Sequence, residues 1–563
     1  MLLDELKADG SAPQWMQEEG LATLNGGYLL PDETPRELYC RLALSAGKYG
    51  ADRHMSQHYF DHMWKGWLCP ASPVLSNLGT TRGFPISCNA IHVGDSVDSI
   101  FMKQHELAML SKNGAGVAVY MGDVRGRNAL ITGNGRSEGI IPWCKCIDTT
   151  TVAVNQGSVR RGATAVYSPI EHPDVEEFLN IRRPVGDANR QCLNINHGLT
   201  ITNAWMESML AGDKHKQGIW RKVLLTRIET GQPYLIFIDN INNANPECYR
   251  THGLSVKTSN LCSEIALHTD VDHSFVCCLS SMNLAKWDEW KDTNALEIGT
   301  RFLDAVMGEY IEKSEGVSGL EESRRSAVKG RSIGLGVLGF HSLLQSKDLP
   351  FDHFQSMTLN AQIFRQMHTQ SIEASKMLAN EIGEPEWCKG TGMRNTHLMA
   401  LAPTVSNATI AGGVSPSIEP WSSNYYYKEG AKGTFISKNP YLEALLETKG
   451  KNTTETWKSI NAELGSVAHL KFLSSEEKAV FLTAREINQF TIVKMAAQRA
   501  PYVDQAQSIN LFFGQNSDPN YIHKVHVEAW RSGVKSLYYM RSAGVLRGDM
   551  ASRSADECSA CEG

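Results

Sequence analysis

The sequence predicts an α/β protein with one dominant catalytic domain, and three observations predict it. Short β-branched and aromatic runs alternate with helix-compatible stretches, through GAGVAVYM, TAVYSPIEH, QPYLIFID, VCCLSSMNL, HLMALAP and VKSLYYM. No short-period repeat, low-complexity block or long linker interrupts the alternation. The length, 563 residues, suffices to bury a large interior, so neither a metal nor a disulfide staple is needed to explain folding.

Composition narrows the class. Hydrophobic residues make up 42% of the chain, which excludes wholesale disorder, and 55 Lys and Arg against 61 Asp and Glu give a net charge of -6. That balance carries no global signature for nucleic acid, so no direct nucleic-acid partner is expected. The opening MLLDELKADG is acidic where a secretory signal would be basic, and no stretch of about 18 apolar residues occurs. A cytoplasmic protein with no membrane partner is the expectation. Thirteen cysteines are too few for a disulfide scaffold.

Taken in order, residues 1–65 form a short helical lead-in, with TPRELYCRLALSAG and SQHYFDHMWKGWL as its helical pieces. Residues 66–545 form the main domain, and 546–563 a polar tail ending in the CxxC of Cys558 and Cys561. Early in the main domain, Pro, Gly and Ser break CPASPVLSNLGTTRGFPISCN into short β-compatible runs. DSVDSIFMKQHELAML predicts an amphipathic helix with Val97, Ile100, Phe101 and Leu107 on one face. GAGVAVYMGDVRGR reads as strand then turn, and NQGSVRRGATAVYSPIEHPDVEEFLNIRR as loop, strand, turn and helix.

Two familiar signals point to packing. Gly334, Gly336 and Gly339 fit GxGxxG, but VKGRSIGLGVLGFHSLL reads as a closely packed helix, with no second βα unit and acidic residue for a dinucleotide. Cys144 and Cys146 lack a matching Cys or His group and read as structural, so no metal-ligand set is assigned.

The interior segment TSNLCSEIAL carries the chemistry. In an extended chain, residues two apart share a face, which would aim Asn260, Cys262 and Glu264 into one pocket. A carboxylate can move a proton, an amide can hold a hydroxyl, and a thiol can supply a nucleophile or, once oxidised, a radical. A buried cysteine in an ordinary strand fits the same residues taken alone.

SNLCSEIAL resembles the finger loop of the large, catalytic subunit of class I ribonucleotide reductases. The resemblance implies a thiyl radical at Cys262, a general base at Glu264 and a substrate-orienting amide at Asn260. SPVLSNLGTTRGFPISCN resembles that family's substrate loop, implying a redox cysteine at Cys88 and substrate contacts at Ser72 and Ser87, with Gly116 beside them. VCCLSSMNL resembles the segment holding the redox partner, which the register puts at Cys277, with Cys278 as the alternative. HLMALAPTVSNATIAGG passes from strand into a Thr, Ser and Asn-rich turn and resembles the phosphate loop, implying contacts at Pro403, Thr404, Val405, Ser406 and Asn407.

Further implications follow in order. Asp95 and Arg125 resemble parts of the nucleoside triphosphate effector site, and NQGSVRRG its link to the substrate, through Gln156 and Arg160. A solvated surface cation is the alternative for Arg125. Tyr538 and Tyr539 in VKSLYYM resemble the radical-transfer dyad. Cys558 and Cys561 resemble the tail pair that re-reduces the site and is itself reduced by thioredoxin or glutaredoxin.

The implied fold is a ten-stranded α/β barrel around a central finger loop, built from two parallel five-stranded halves. The implied activity is radical reduction of ribonucleoside diphosphates to 2′-deoxyribonucleoside diphosphates, with Cys88 and Cys277 supplying two electrons. No cofactor is expected in this chain; a metal-containing small subunit would supply the radical, and a homodimer is expected. The alternatives are an adenosylcobalamin-dependent class II reductase and a non-catalytic nucleotide-binding homologue. The segment before Cys88 leaves no room for an ATP-cone, so dATP is expected to change base preference without silencing the enzyme.

Overall fold

Period-two burial dictates how the central strands pack. In the computed structural model, which describes residues 2–133, 135–154, 162–430, 433–514 and 516–542, the strands β2 (Cys88–His92), β3 (Gly116–Tyr120) and β6 (Ala163–Pro169) lie side by side. Ile91, Val117, Val119 and Val166 face the outer apolar core, whereas Ala90, Ala118 and Ala165 face inward. The other strands are β1 (Leu68–Pro70), β4 (Leu130–Ile131), β5 (Gly135–Arg136), β7 (Asn196–Ile201), β8 (Tyr234–Phe237), β9 (Phe275–Asn283), β10 (Ile333–Leu338), β11 (Tyr425–Gly430), β12 (Gly433–Lys438), β13 (Leu511–Phe513), β14 (Ser536–Leu537) and β15 (Met540–Ser542).

The inner strands close into a ring. β2, β3, β6, β7 and β8 run parallel. β9 and β10 also run parallel, and the Ile333 and Leu335 N–H groups donate to the carbonyls of His397 and Leu398 at 3.1 and 2.8 Å. The 397–401 segment pairs in turn with 505–509: the Ser508 N–H donates to Leu401 O at 2.8 Å, and a parallel bridge joins Leu401 to Gln507. The Tyr538 N–H donates to Ile509 O at 2.8 Å, carrying the ring to β14. Antiparallel seams at β2·β9 and β8·β14 join the two halves, each of five segments. A closed barrel leaves no unpaired inner edge.

Helices cover the outside. Pro35–Tyr49 opens with a capping box, in which Thr34 accepts the Glu37 N–H and Glu37 answers on the Thr34 N–H. It packs against Ala295–Lys313, a helix buried along most of its length. The helix expected around Val97 spans Val97–Lys112, but only Ile100 and Leu107 of the four named residues are buried; Val97 and Phe101 are exposed. No helix among the described residues is long and apolar enough to cross a membrane.

The SIGLGVLGF segment departs from the helical reading. Ile333–Leu338 is strand β10, and the helix begins only at Phe340. A side chain at Gly334 would put its Cβ 2.4 Å from Leu279 Cδ2 and 2.9 Å from Ala400 Cβ; at Gly336 it would meet Ala400 O at 2.5 Å. The glycines let the 397–401 segment approach β10, a need set by a neighbour distant in sequence.

Candidate active site

Small side chains make room at the centre. Ala90 pairs with Ala118 and Ala118 with Ala165 at one level of three adjacent strands, so that arc of the inner wall carries only methyl groups. The loop carrying Asn260, Cys262 and Glu264 packs into the same inner cluster. It is a tight turn and not the extended segment expected from sequence: Asn260 Oδ1 accepts the Glu264 and Ile265 N–H groups, both at 3.1 Å, and Ser263 adopts φ 66°. A left-handed residue reverses the chain, so the shared-face argument fails for this segment. The three residues nevertheless remain buried together.

Their surroundings are polar and specific. Ser508 Oγ donates to Cys262 O at 2.6 Å and lies 3.2 Å from Glu264 Oε2. The Ala506 N–H donates to Glu264 O at 2.9 Å, and Tyr167 Oη donates to Asn260 O at 2.7 Å. Asn260 thus spends its oxygen on the turn, and an amide NH2 still offers donors. Burial, followed by the neighbouring Cys262, Glu264 and Tyr539, pushes the Tyr167 phenol well above its ordinary range.

Cys88 and Cys277 occupy one register position where β2 and β9 meet antiparallel. Cys277 belongs to the inner cluster that holds Cys262, and half-buried Cys88 packs against that cluster; Cys278 belongs to the outer core. Alternation along β9 thus separates the two cysteines of the doublet. Burial raises the Cys277 thiol far above its ordinary range, against which a hydrogen bond from Gln505 pulls it down.

Aromatic rings continue from the same cluster. Tyr538 and Tyr539 stand with centroids 4.4 Å apart at 56°, and Tyr234 lies 4.7 Å from the first and 5.0 Å from the second. The Arg541 guanidinium sits 4.6 Å from the centre of the Tyr539 ring.

The substrate-loop and phosphate-loop residues also meet. Ser72, the first residue of a short helix, is hydrogen-bonded to Asn407, while Tyr28 Oη donates to Ser72 Oγ at 3.3 Å. Thr404, at φ 54°, turns the chain into the helix Val405–Ile410, with Ser406 and Asn407 in its first turn and Pro403 just before it. Ser87 and Gly116 lie beside Cys88: the Gly116 N–H donates to Ser87 O at 2.8 Å, and Gly116 pairs with Cys88.

Asp95 and Arg125 form an ion pair, 2.9 Å from Nε to Oδ2, with each side chain about one-third exposed. Arg125 is therefore a paired cation. Gln156, Arg160, Cys558 and Cys561 lie outside the described residues. Among the described residues, His268, Asp270 and His273 could together hold a metal ion; both rings are hydrogen-bonded to the Asp270 carboxylate at 3.0 Å.

Gln505, Ser508, Tyr167 and Tyr234 were not singled out by sequence reasoning. For the first two a signal existed: DQAQS between Val503 and Ile509 is a polar run inside an otherwise apolar strand pattern, and its Gln505 and Ser508 are wholly buried. For the tyrosines, only the barrel brings them to the loop.

Comparison with known proteins agrees with this geometry. The family model "Ribonucleotide reductase, barrel domain" matches residues 86–217, 213–391 and 384–540, and "Ribonucleotide reductase, all-alpha domain" matches 15–83. A putative ribonucleoside-diphosphate reductase large subunit of Frog virus 3 is 37% identical over 541 residues, covering 92% of this chain and 94% of that one. The ribonucleoside-diphosphate reductase large subunit of Invertebrate iridescent virus 3 is 33% identical, covering 97% and 98%. Among solved structures, the Actinobacillus ureae class Id ribonucleotide reductase alpha subunit superposes with a TM-score of 0.87 at 42% identity, covering 95% of this chain and 98% of that one. With both domains matched in order and a barrel built around a cysteine loop, the chain belongs to the ribonucleotide reductase family, as a large subunit of the class I type.

Proposed function

We propose that this chain reduces ribonucleoside diphosphates to 2′-deoxyribonucleoside diphosphates, with the radical supplied by a metal-containing small subunit. The observation that carries the reading is the pairing of Cys88 with Cys277 at the wall of a barrel whose centre holds Cys262 and Glu264. In this reading a Cys262 thiyl takes the ribose 3′ hydrogen, Glu264 accepts the 3′ hydroxyl proton, and the 2′ hydroxyl leaves as water with a proton from a thiol of the Cys88 and Cys277 pair. Cys88 and Cys277 then give two electrons and become a disulfide, and Cys262 finally returns its hydrogen to the 3′ carbon. The Asn260 NH2 orients the ribose, and the first N–H groups of the helix at Val405, Ser406 and Asn407 receive the diphosphate.

Tyr538 and Tyr539 relay the oxidising equivalent from the small subunit to Cys262; their ring contact, 4.4 Å between centroids within the cysteine's own cluster, supports this role. Cys558 and Cys561 return electrons from thioredoxin or glutaredoxin. Asp95 and Arg125, with Gln156 and Arg160, serve a nucleoside triphosphate effector. Exposed Val97, Phe101 and Met102 on one helix offer an apolar face for a second copy of the chain.

The deciding experiment is a reductase assay in which a class I small subunit and adenosylcobalamin are supplied separately. Deoxynucleoside diphosphate should form only with the small subunit. Activity with cobalamin alone rejects the partner, and no product under either condition rejects the activity.

A further inference from the structure

The buried amide of Gln505 is held so that it can make only one kind of contact with Cys277. Its Nε2 donates to Ile333 O at 2.9 Å and lies 3.3 Å from Cys277 Sγ, while its Oε1 accepts the Ala266 N–H at 3.3 Å. Turning the amide over would set its oxygen against the Ile333 carbonyl and its NH2 against the Ala266 N–H. The second N–H is therefore committed to the sulfur. The backbone beside it is fastened too: Lys535 Nζ donates to the carbonyls of Val503, Asp504 and Gln505 at 2.7, 2.9 and 2.8 Å.

The two thiols of the pair differ in the respects that govern disulfide opening. Cys88 is half-buried, whereas Cys277 is 1% exposed and carries the Gln505 donor. When a thiolate attacks a disulfide, the sulfur attacked must be reachable, and the one expelled leaves faster the better its negative charge is held. Access selects Cys88 for attack, so Cys277 is the sulfur that must leave; burial disfavours its charge, and the Gln505 amide offsets that cost.

We propose that Gln505 is a further catalytic residue, the donor that holds Cys277 as the leaving thiolate when the incoming reductant attacks Cys88. The inference rests on the reading of Cys88 and Cys277 as the pair oxidised in turnover. In the step, the sulfur of an incoming thiolate bonds to Cys88 Sγ, the Cys88–Cys277 bond breaks, and its electron pair goes to Cys277 Sγ beside the amide. A second thiolate of the same dithiol then displaces Cys88. The dithiol is oxidised to its disulfide, and Cys88 and Cys277 end reduced, taking up two protons.

The test uses the full chain with its small subunit and with Cys558 and Cys561 replaced by Ser, so that only an added probe opens the bond. One round of substrate reduction forms the disulfide, which peptide mapping quantifies. Glutathione is then added, and the mixed disulfide is trapped with acid and located. The expected adduct is on Cys88, at least tenfold over Cys277. Gln505→Met, carrying the preformed disulfide, should open at least tenfold more slowly. Gln505→Glu should also be slow at pH 8 and recover relative to the parent at pH 6, where a protonated carboxyl regains a donor.

An adduct on Cys277 overturns the proposal without any variant at residue 505, as does opening of Gln505→Met at the parent rate. Product formation with no Cys88–Cys277 disulfide overturns the redox-pair reading itself, which separates that failure from the failure of Gln505.

Discussion

Ser72 Oγ donates to Asn407 Oδ1 at 3.0 Å, joining two segments 335 residues apart in the chain. Asn407 Nδ2 in turn donates to Pro70 O at 2.5 Å, so the end of β1, the helix starting at Ser72 and the helix that follows Thr404 are tied together. If both touch the diphosphate, each positions the other. Ser72→Ala should raise KM for the diphosphate substrate about fivefold to tenfold, the loss of one buried hydrogen bond at ~1 kcal/mol. In a double-mutant cycle with Asn407→Ala the two effects should be strongly non-additive. Simple additivity would show that the two residues act separately.

The loop at Cys262 is held by backbone and Asn260 contacts that do not involve its sulfur. Cys262→Ala should therefore abolish turnover while nucleotide binding stays within about twofold of the parent, measured by calorimetry; multiple turnovers by this variant would remove the cysteine from the radical step. Glu264→Gln keeps the shape and loses the base, so its catalytic rate should fall at least ~100-fold with little change in binding.

Tyr538→Phe and Tyr539→Phe each preserve the ring contact and delete a phenolic hydroxyl. Substrate affinity should persist and deoxynucleotide formation should stop in both, when assayed with the small subunit. If the rings serve only packing, the variants will turn over at nearly the parent rate.

Glu106 provides a pH test of the scaffold. Burial pushes its carboxyl up to about 7, opposed by Lys103 Nζ at 3.0 Å. In the unfolded chain the same group has its ordinary value of 4.5. Between these values the folded state binds a proton that the unfolded state does not, so this stabilisation is complete below 4.5 and lost as pH rises through 7. Glu106→Gln does not titrate. Its stability relative to the parent should thus improve between pH 5 and pH 8, by up to about 3 kcal/mol. Urea melts of both proteins at the two pH values measure this, and a constant difference would contradict it.

Gly334 tests the close approach of β10 to its neighbour. Gly334→Ala puts a methyl group 2.4 Å from Leu279 Cδ2 and 2.9 Å from Ala400 Cβ. The overpacking should cost about 1–3 kcal/mol in denaturant unfolding. An unchanged midpoint would mean that the wall gives way without cost.

By itself the sequence determined the family resemblance and the strand-forming runs of this protein. The motifs SPVLSNLGTTRGFPISCN, TSNLCSEIAL and VKSLYYM carry the resemblance to a ribonucleotide reductase large subunit, and β-branched and aromatic runs such as GAGVAVYM mark strands, because a motif and a run are both read from residues adjacent in the chain. Only the tertiary structure decided which face became the interior. The inward row of Ala90, Ala118 and Ala165, the seat of Cys277 inside and Cys278 outside, and the extended course of Ile333–Leu338 all depend on register with strands far away in the chain. The turn at Ser263 and the exposure of Val97 and Phe101 are decided the same way. A local pattern specifies that two faces differ; the closing of the barrel, which pairs β2 with β9 and β8 with β14, sets which of them faces the interior and which meets the helices.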